Sequence, residues 1–198
     1  MTTLIRLATP RDAADIAEIY RPAVADAAAS FELEPPDAAE MAARVATVLT
    51  RTPWIVCETG QGSIAGYAYA SRHRDRAAYQ WSVEVSAYVR QAAHRSGVGR
   101  ALYTSLFAIL VVQGFRNAYA GITLPNPASV GFHKALGFTS VGIYRGIGYK
   151  AGAWHDVEWL ERELAPRVLE PNAPVALPSL IGTTELDSAM KACPLRYR

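Results

Sequence analysis

A long apolar helix that follows two glycines constrains the fold of this chain more than any other feature. Residues 100–113 are apolar around nearly the whole helical circumference, which predicts a helix that is buried on more than one side. Residues 81–89 form an apolar, alternating run, and the predicted strand extends over residues 79–89. The segment His-Arg-Ser-Gly-Val-Gly-Arg-Ala at residues 94–101 joins the two. The chain is therefore predicted to connect a strand directly to a buried helix.

The junction between this strand and this helix is predicted to bind a diphosphate. The first amides of a helix lack partners within the helix and carry the positive end of its dipole. Gly97 and Gly99 let the backbone turn tightly and approach a ligand, and Arg95 and Arg100 add positive charge. The alternative is an ordinary turn that contains glycine.

Two common phosphate-binding motifs do not fit this junction. A Walker loop needs Gly-Lys-Ser/Thr at the start of the helix, and no such sequence is present. The dinucleotide fingerprint needs glycine or alanine at the position of Leu102, and it should follow the first strand of its fold. A different kind of nucleotide site is therefore expected.

The composition limits the class of protein. A length of 198 residues with 51% apolar residues suits one globular domain, and a net charge of +2 argues against a nucleic-acid partner. The sequence shows neither a signal peptide nor an apolar run long enough to cross a bilayer. Cys57 and Cys193 make neither a disulfide framework nor a zinc site. We expect a soluble, cytoplasmic protein without a metal or a membrane partner.

The periodicity along the chain predicts the element order β-α-α-β-β-β-α-β-α-β-β. Strands on either side of a crossover helix should be parallel and hairpins antiparallel, so we expect an α/β fold with a mixed, mostly antiparallel sheet flanked by helices. Five prolines follow Leu164, which divides the chain into a domain at residues 1–165 and a Pro-rich tail at residues 166–198. The tail is expected to lie against the domain or against a partner subunit.

Glu84 is the strongest candidate for a catalytic residue. It is an acid in the middle of an apolar strand, between Val83 and Val85. A buried carboxylate is costly and usually has a partner or a chemical role. The alternative is an acid on the solvent face of an alternating strand.

Several ordered motifs carry a resemblance to a known family. The pattern His94-x-x-Gly97-x-Gly99 resembles the acyl-CoA loop of the GNAT superfamily of N-acetyltransferases, with His94 in place of the usual Gln or Arg. Residues 124–138 resemble its later segment, with His133 in place of the usual Tyr. Residues 30–32, 83–89, 121–126 and 154–157 resemble phosphinothricin N-acetyltransferases, which share their design with methionine sulfoximine and sulfone acetyltransferases. The resemblance covers residues 4–164 and leaves the tail outside it.

The resemblance implies a GNAT fold, in which parallel strands splay at the acyl-CoA site, and acetyl-CoA as the donor. Helix amides would hold the diphosphate, and the free edge of the central strand would pair with the pantetheine arm. The Val89 amide is a candidate oxyanion donor. Asn126 would contact the donor or simply cap a helix, and both roles are compatible. The expected donor-binding residues are Tyr88, Val89, His94, Arg95, Gly97, Val98, Gly99, Arg100, Ala101, Asn126 and Ser129.

The resemblance also implies that the acceptor is the α-amino group of a small amino acid, acetylated by direct transfer. Glu84 would act as the general base, and His133 would protonate the thiolate or relay a proton. The alternative for His133 is a satisfied histidine in the core. Arginine and tyrosine suit the carboxylate and phosphinate of such an acceptor. The expected acceptor-binding residues are Phe31, Arg74, Arg76, Tyr79 and Glu84.

Some of these residues have alternatives without a role in binding, and for Arg74 the sequence favours that alternative. Arg74 belongs to a charged connection that would otherwise be solvated, and Phe31 would either fill the core or form a wall of the pocket. His155 is expected to give structural support. The family commonly forms homodimers, so a second copy of the chain is the expected partner.

Two other functions remain open from the sequence. One is a non-catalytic acyl-CoA-binding module with a regulatory tail, which an intact Glu84 and His133 disfavour. The other is an acetyltransferase for another small amine, such as a polyamine or a peptide N-terminus. Those acceptors are cationic or long and would require acids or an open groove, rather than Arg76 and Tyr79.

Overall fold

A seven-stranded mixed sheet organises the protein, which we describe from a computed structural model covering residues 3–193. The strand order is β1-β2-β3-β4-β5-β7-β6. The strands are β1 (Leu4–Leu7), β2 (Trp54–Glu58), β3 (Ile64–Arg72), β4 (Ser82–Val89), β5 (Asn117–Thr123), β6 (Thr139–Lys150) and β7 (Ala153–Glu163). The helices are α1 (Ala13–Ala25), α2 (Ala38–Leu49), α3 (Val98–Gln113), α4 (Pro127–Lys134) and α5 (Thr184–Met190).

The pairing of β4 with β5 is the only parallel one among the described strands, and it is short. It runs from the pair Ser82 and Asn117 to the pair Glu84 and Tyr119. Beyond Glu84, β4 stays paired with β3 as far as Val89, whereas its other edge has no partner strand. The two parallel strands therefore separate, and the predicted mixed, mostly antiparallel sheet with a splay in its parallel pair is confirmed.

Helices cover both faces of the sheet. On one face α3 packs on alternate strand residues such as Val83, Val85 and Ala118, and its Leu102 and Leu106 are fully buried. On the other face α1 and α2 pack over β2 and β3. Because strand side chains alternate between faces, Glu84, Ser86 and Tyr88 lie on the α1–α2 side, opposite α3.

The central strand is shorter than the sequence indicates. A strand was expected from residue 79, but Ala77–Tyr79 forms a short 3₁₀ segment and β4 begins at Ser82. Tyr79 and Gln80 each donate a backbone hydrogen bond three residues back, so this turn, rather than a ladder, satisfies their amides. Tyr79 consequently lies at the entrance of the strand rather than within it.

The described part of the tail packs on its own domain. Leu177 and Leu186 are buried in the same core as α3, and α5 lies against α3. The Ser105 hydroxyl donates to the Met190 carbonyl at 2.9 Å, and the Trp81 indole donates to the Asn172 carbonyl at 2.8 Å. Residues 1–2 of the predicted domain and residues 194–198 of the predicted tail lie outside the described residues. Within residues 3–193 no helix is both long and apolar enough to span a bilayer.

Candidate active site

A groove of about 700 Å³ opens where β4 and β5 separate. Its walls come from the free edges of both strands, from α1 and from the start of α4. The groove brings together six of the predicted site residues: Tyr88, Val89, His94, Asn126, Ser129 and His133. The divergence of the parallel strands therefore creates the space in which these residues meet.

The free edge of β4 presents backbone hydrogen-bonding groups to this groove. The Arg90 amide donates to the Ala65 carbonyl at 2.8 Å, and Val89 lies opposite Gly66. Because antiparallel strands alternate in the direction of their amides, the N–H and C=O of Val89 point away from β3. The His94 Nε2 lies 3.0 Å from the Val89 carbonyl, which can only accept, so the ring donates there. The Val89 N–H is left facing the groove.

The start of α3 supplies a second set of free amides. Gly97 caps the helix with φ +90°, and the amides of Val98, Gly99 and Arg100 have no acceptor within residues 3–193. Ala101 differs from these three residues, because its N–H donates to the Gly97 carbonyl at 3.0 Å. It is the first amide of the helix that has a partner within the helix.

Gly97 and Gly99 are favoured at their positions for different structural reasons. A Cβ on Gly97 would meet nothing within 4 Å, but its positive φ disfavours other residues. A Cβ on Gly99 would lie 3.2 Å from the Phe132 ring, so Gly99 is required by packing against α4. Arg95 and Arg100 are exposed beside these amides, and Arg95 has φ +60°.

At the start of α4 the structure gives Asn126 its capping role. The Asn126 Oδ1 accepts from the Ser129 amide at 3.1 Å. One turn later His133 is buried with both ring nitrogens occupied. Its Nδ1 lies 2.8 Å from the Ser129 carbonyl and donates to it, so its Nε2 accepts from the Tyr103 hydroxyl at 3.1 Å. Burial lowers the pKa of His133, which keeps the ring neutral.

Glu84 is the last residue of β4 that pairs with β5, and the two strands separate beyond it. Its Oε1 is 3.1 Å from the His73 Nδ1 and 3.4 Å from the Arg74 Nη1. Burial raises the pKa of this carboxyl above its ordinary value, and the charges of His73 and Arg74 partly oppose that rise. The result is a half-buried carboxylate with a raised pKa, which makes it a stronger base than an exposed glutamate.

An aromatic cluster that the sequence did not reveal surrounds Glu84. The His73 ring stacks on Tyr119 with centroids 4.4 Å apart, and Trp159 meets it edge-on at 5.8 Å. Arg74 lies over the Trp159 ring at 5.7 Å. These residues come from the β3–β4 connection, β5 and β7. The hairpin register, which pairs Ser71 with Glu84, was the one signal that could have placed His73 beside the acid.

The other predicted acceptor-binding residues make fewer contacts, and of these Tyr79 is the one whose ring meets this cluster. Tyr79 is 44% exposed, with its ring 6.4 Å from His73. Arg76 is exposed and precedes the same 3₁₀ segment. Phe31 is 38% exposed and packs on Gly148 and His155 of the β6–β7 hairpin in its own chain. Phe31 belongs to the loop between α1 and α2, and its ring packs that loop against the hairpin.

A buried lysine holds the loop that carries Phe31. The Lys150 Nζ donates to the carbonyls of Val24 and Ser30 at 2.6 and 2.7 Å. Arg44 makes two hydrogen bonds to Glu32 at 2.7 and 2.9 Å on the other side of the loop. Nothing in the local sequence around Lys150 indicated this contact, because its partners lie more than a hundred residues away.

The fold and the groove belong to a recognised class of enzyme. Residues 5–159 match the family model described as an acetyltransferase (GNAT) domain. The chain therefore belongs to the GNAT acetyltransferase family, and it is an acyltransferase. The family, the fold and the enzyme class predicted from the sequence are confirmed.

Comparison with individual relatives narrows the kind of acetyltransferase that this chain resembles. The chain is 39% identical to the phosphinothricin N-acetyltransferase of Streptomyces viridochromogenes over 84% of its length and 93% of the relative. It is 32% identical to the L-methionine sulfoximine/L-methionine sulfone acetyltransferase of Pseudomonas aeruginosa over 84% and 97%. It also superposes on a phosphinothricin acetyltransferase from Sinorhizobium meliloti, solved with acetyl-CoA, with a TM-score of 0.82 and 37% identity over 87% and 94%. This complex agrees with acetyl-CoA as the predicted donor.

Proposed function

We propose that this enzyme transfers the acetyl group of acetyl-CoA to the α-amino group of a small amino acid such as phosphinothricin or methionine sulfoximine or sulfone. One observation carries the proposal: a half-buried carboxylate, Glu84, ends the pairing of β4 with β5, and the groove begins at the next residue of β4, Val85. The names of the relatives support this class of acceptor.

The donor would occupy the groove from the start of α3 to Glu84. The amides of Val98, Gly99 and Arg100 would hold the diphosphate, with the Arg95 and Arg100 side chains beside it. The pantetheine amides would pair with the free edge of β4 as an added strand. This alignment would bring the thioester carbonyl to the Val89 N–H, which is free to stabilise an oxyanion.

The proposed reaction begins with loss of a proton from the acceptor's ammonium group to Glu84. The neutral amine then attacks the thioester carbon, and the carbonyl oxygen becomes an oxyanion facing the Val89 N–H. Its collapse breaks the carbon–sulfur bond and leaves the CoA thiolate and an N-protonated amide, which gives its extra proton to water in the groove and becomes the acetylated amine. The thiolate takes a proton from water in the open groove, and Glu84 returns its proton to solvent.

The geometry of His133 supports its structural alternative rather than a role as general acid. Its Nδ1–H is donated to the Ser129 carbonyl, and its Nε2 is occupied by the Tyr103 hydroxyl. A neutral ring with both nitrogens occupied has no proton to give to a thiolate. In this proposal His133 fixes the start of α4 against α3.

The acceptor's anionic groups would lie among Arg74, Arg76 and Tyr79, with Phe31 as the opposite wall. Arg74 reaches both Glu84 and the Trp159 ring, so this arginine contacts the proposed site although its side chain is 44% exposed. Guanidinium groups bind carboxylate and phosphinate oxygens through paired hydrogen bonds. A polyamine would meet these same cations, which disfavours it.

We also propose a homodimer. Exposed apolar side chains cluster on the β6–β7 hairpin, next to the Phe31 wall: Val141, Ile147, Tyr149 and Trp154, with Trp154 69% exposed. An apolar patch of this kind marks an interaction surface. A cytoplasmic location belongs to the same proposal, because acetyl-CoA is a cytoplasmic metabolite.

The test is a steady-state assay of CoA release with phosphinothricin, methionine sulfoximine, methionine sulfone, spermidine and a dipeptide. We expect turnover of the first three and little of the last two, because Arg74 and Arg76 repel cations and Phe31 limits length. Turnover of spermidine alone would overturn the proposed acceptor. Binding of acetyl-CoA without turnover of any amine would favour the non-catalytic module.

A further inference from the structure

His73 makes the shorter of the two side-chain contacts with Glu84. Its Nδ1 is 3.1 Å from the Glu84 Oε1, and its side chain is only 13% exposed. The ring is fixed by Tyr119, which stacks on it at an angle of 15°, and by Trp159 at its edge. An imidazole held between two aromatic rings keeps its Nδ1 directed at the carboxylate.

Both side chains that contact Glu84 use the same oxygen. His73 and Arg74 each contact Oε1, whereas Oε2 has no hydrogen-bond partner within residues 3–193. A carboxylate held through one oxygen presents the other in a fixed direction. The free Oε2 is therefore the atom that can accept a proton.

We infer that His73 is a positioning residue that donates Nδ1–H to the Glu84 Oε1, stabilises the charged carboxylate and leaves Oε2 to receive the proton of the acceptor's ammonium group. This inference rests on the proposed role of Glu84 as the general base. It assigns a function to a histidine in a connection that otherwise resembles a solvated, charged loop.

The groups that face Glu84 from the surrounding elements support this assignment. Arg74 lies on the same connection, Tyr69 on β3, Tyr119 on β5 and Tyr79 on the 3₁₀ segment. Burial raises the pKa values of Tyr69 and Tyr119, so both stay uncharged at neutral pH. Arg74 is 44% exposed, so solvent screens its charge. His73 is thus the better-shielded partner of a carboxyl whose burial favours protonation.

The test uses two variants that separate the ring from its hydrogen bond. His73→Phe keeps a ring to stack on Tyr119 but cannot donate to Glu84. His73→Asn places an amide nitrogen near the position of Nδ1 and donates without titrating. The readout is the ¹³C chemical shift of the Glu84 carboxyl against pH in the free enzyme, assigned by its loss in Glu84→Gln.

We expect the titration midpoint of Glu84 to rise by about one pH unit in His73→Phe and by less in His73→Asn. The acid limb of kcat/KM should move upward in the same order, with activity recovering at high pH. An unchanged midpoint in His73→Phe would overturn the inference. So would a uniform loss of kcat/KM at every pH with the wild-type titration, since that is the effect of a structural defect.

The titration also separates this inference from the proposed function. It needs no substrate, so an enzyme that acetylated none of the test amines would contradict the proposed function and leave the pairing measurable. If His73→Phe fails to fold, His73→Leu, which also lacks a donor, takes its place, and an unchanged Glu84 midpoint in that variant would overturn the inference.

Discussion

At the residue scale, the proposed chemistry depends on one side chain, that of Glu84. Glu84→Gln keeps the size of the side chain but removes its ability to accept a proton. We expect kcat to fall by roughly 10²–10⁴-fold, while the Kd of CoA measured by calorimetry stays nearly unchanged. The donor would contact α3 and the β4 edge rather than this carboxyl, which makes CoA affinity the internal control. Unaltered turnover across neutral pH would remove Glu84 as the base.

The position of Glu84 was predictable and its partners were not. An acid between two apolar strand residues is visible in the sequence, whereas His73, Tyr119 and Trp159 belong to three separate segments. His133 shows the same limit. Its place on α4 was predicted, but the Tyr103 hydroxyl that occupies its Nε2 comes from α3, thirty residues earlier.

At the element scale, α3 joins the site to the tail. Its first turn supplies the free amides, and its far side packs on Leu177, which is fully buried. We expect Leu177→Ala to lower the free energy of unfolding by about 2–5 kcal/mol, because it leaves a cavity in the core. Urea denaturation followed by circular dichroism measures this. Leu169→Ala is the matched control in the same tail, since Leu169 is 99% exposed. Equal effects of the two substitutions would show that the tail does not stabilise the domain.

At the scale of the whole molecule, the apolar β6–β7 face is the proposed contact between two copies. Trp154→Glu places a charge on that face, and we expect it to shift the protein from dimer to monomer in light scattering. Ile181→Glu is the control, because Ile181 is 62% exposed on the tail, away from the hairpin. A wild-type enzyme that is monomeric at all concentrations would contradict the proposed dimer.

The sequence by itself determined the elements of the domain, their order and the glycine-capped start of α3, but not α5 in the tail, because periodicity, caps and turns depend on residues close together in the chain. Its family motifs also predicted a donor site at the start of α3, where the amides of Val98, Gly99 and Arg100 have no acceptor within residues 3–193. Only the tertiary structure decided that Lys150 holds the Phe31 loop, that His73 binds Glu84 and that the tail packs on α3. Each of these contacts joins residues that become neighbours only when the sheet pairs and the helices dock, so local sequence carries no trace of them.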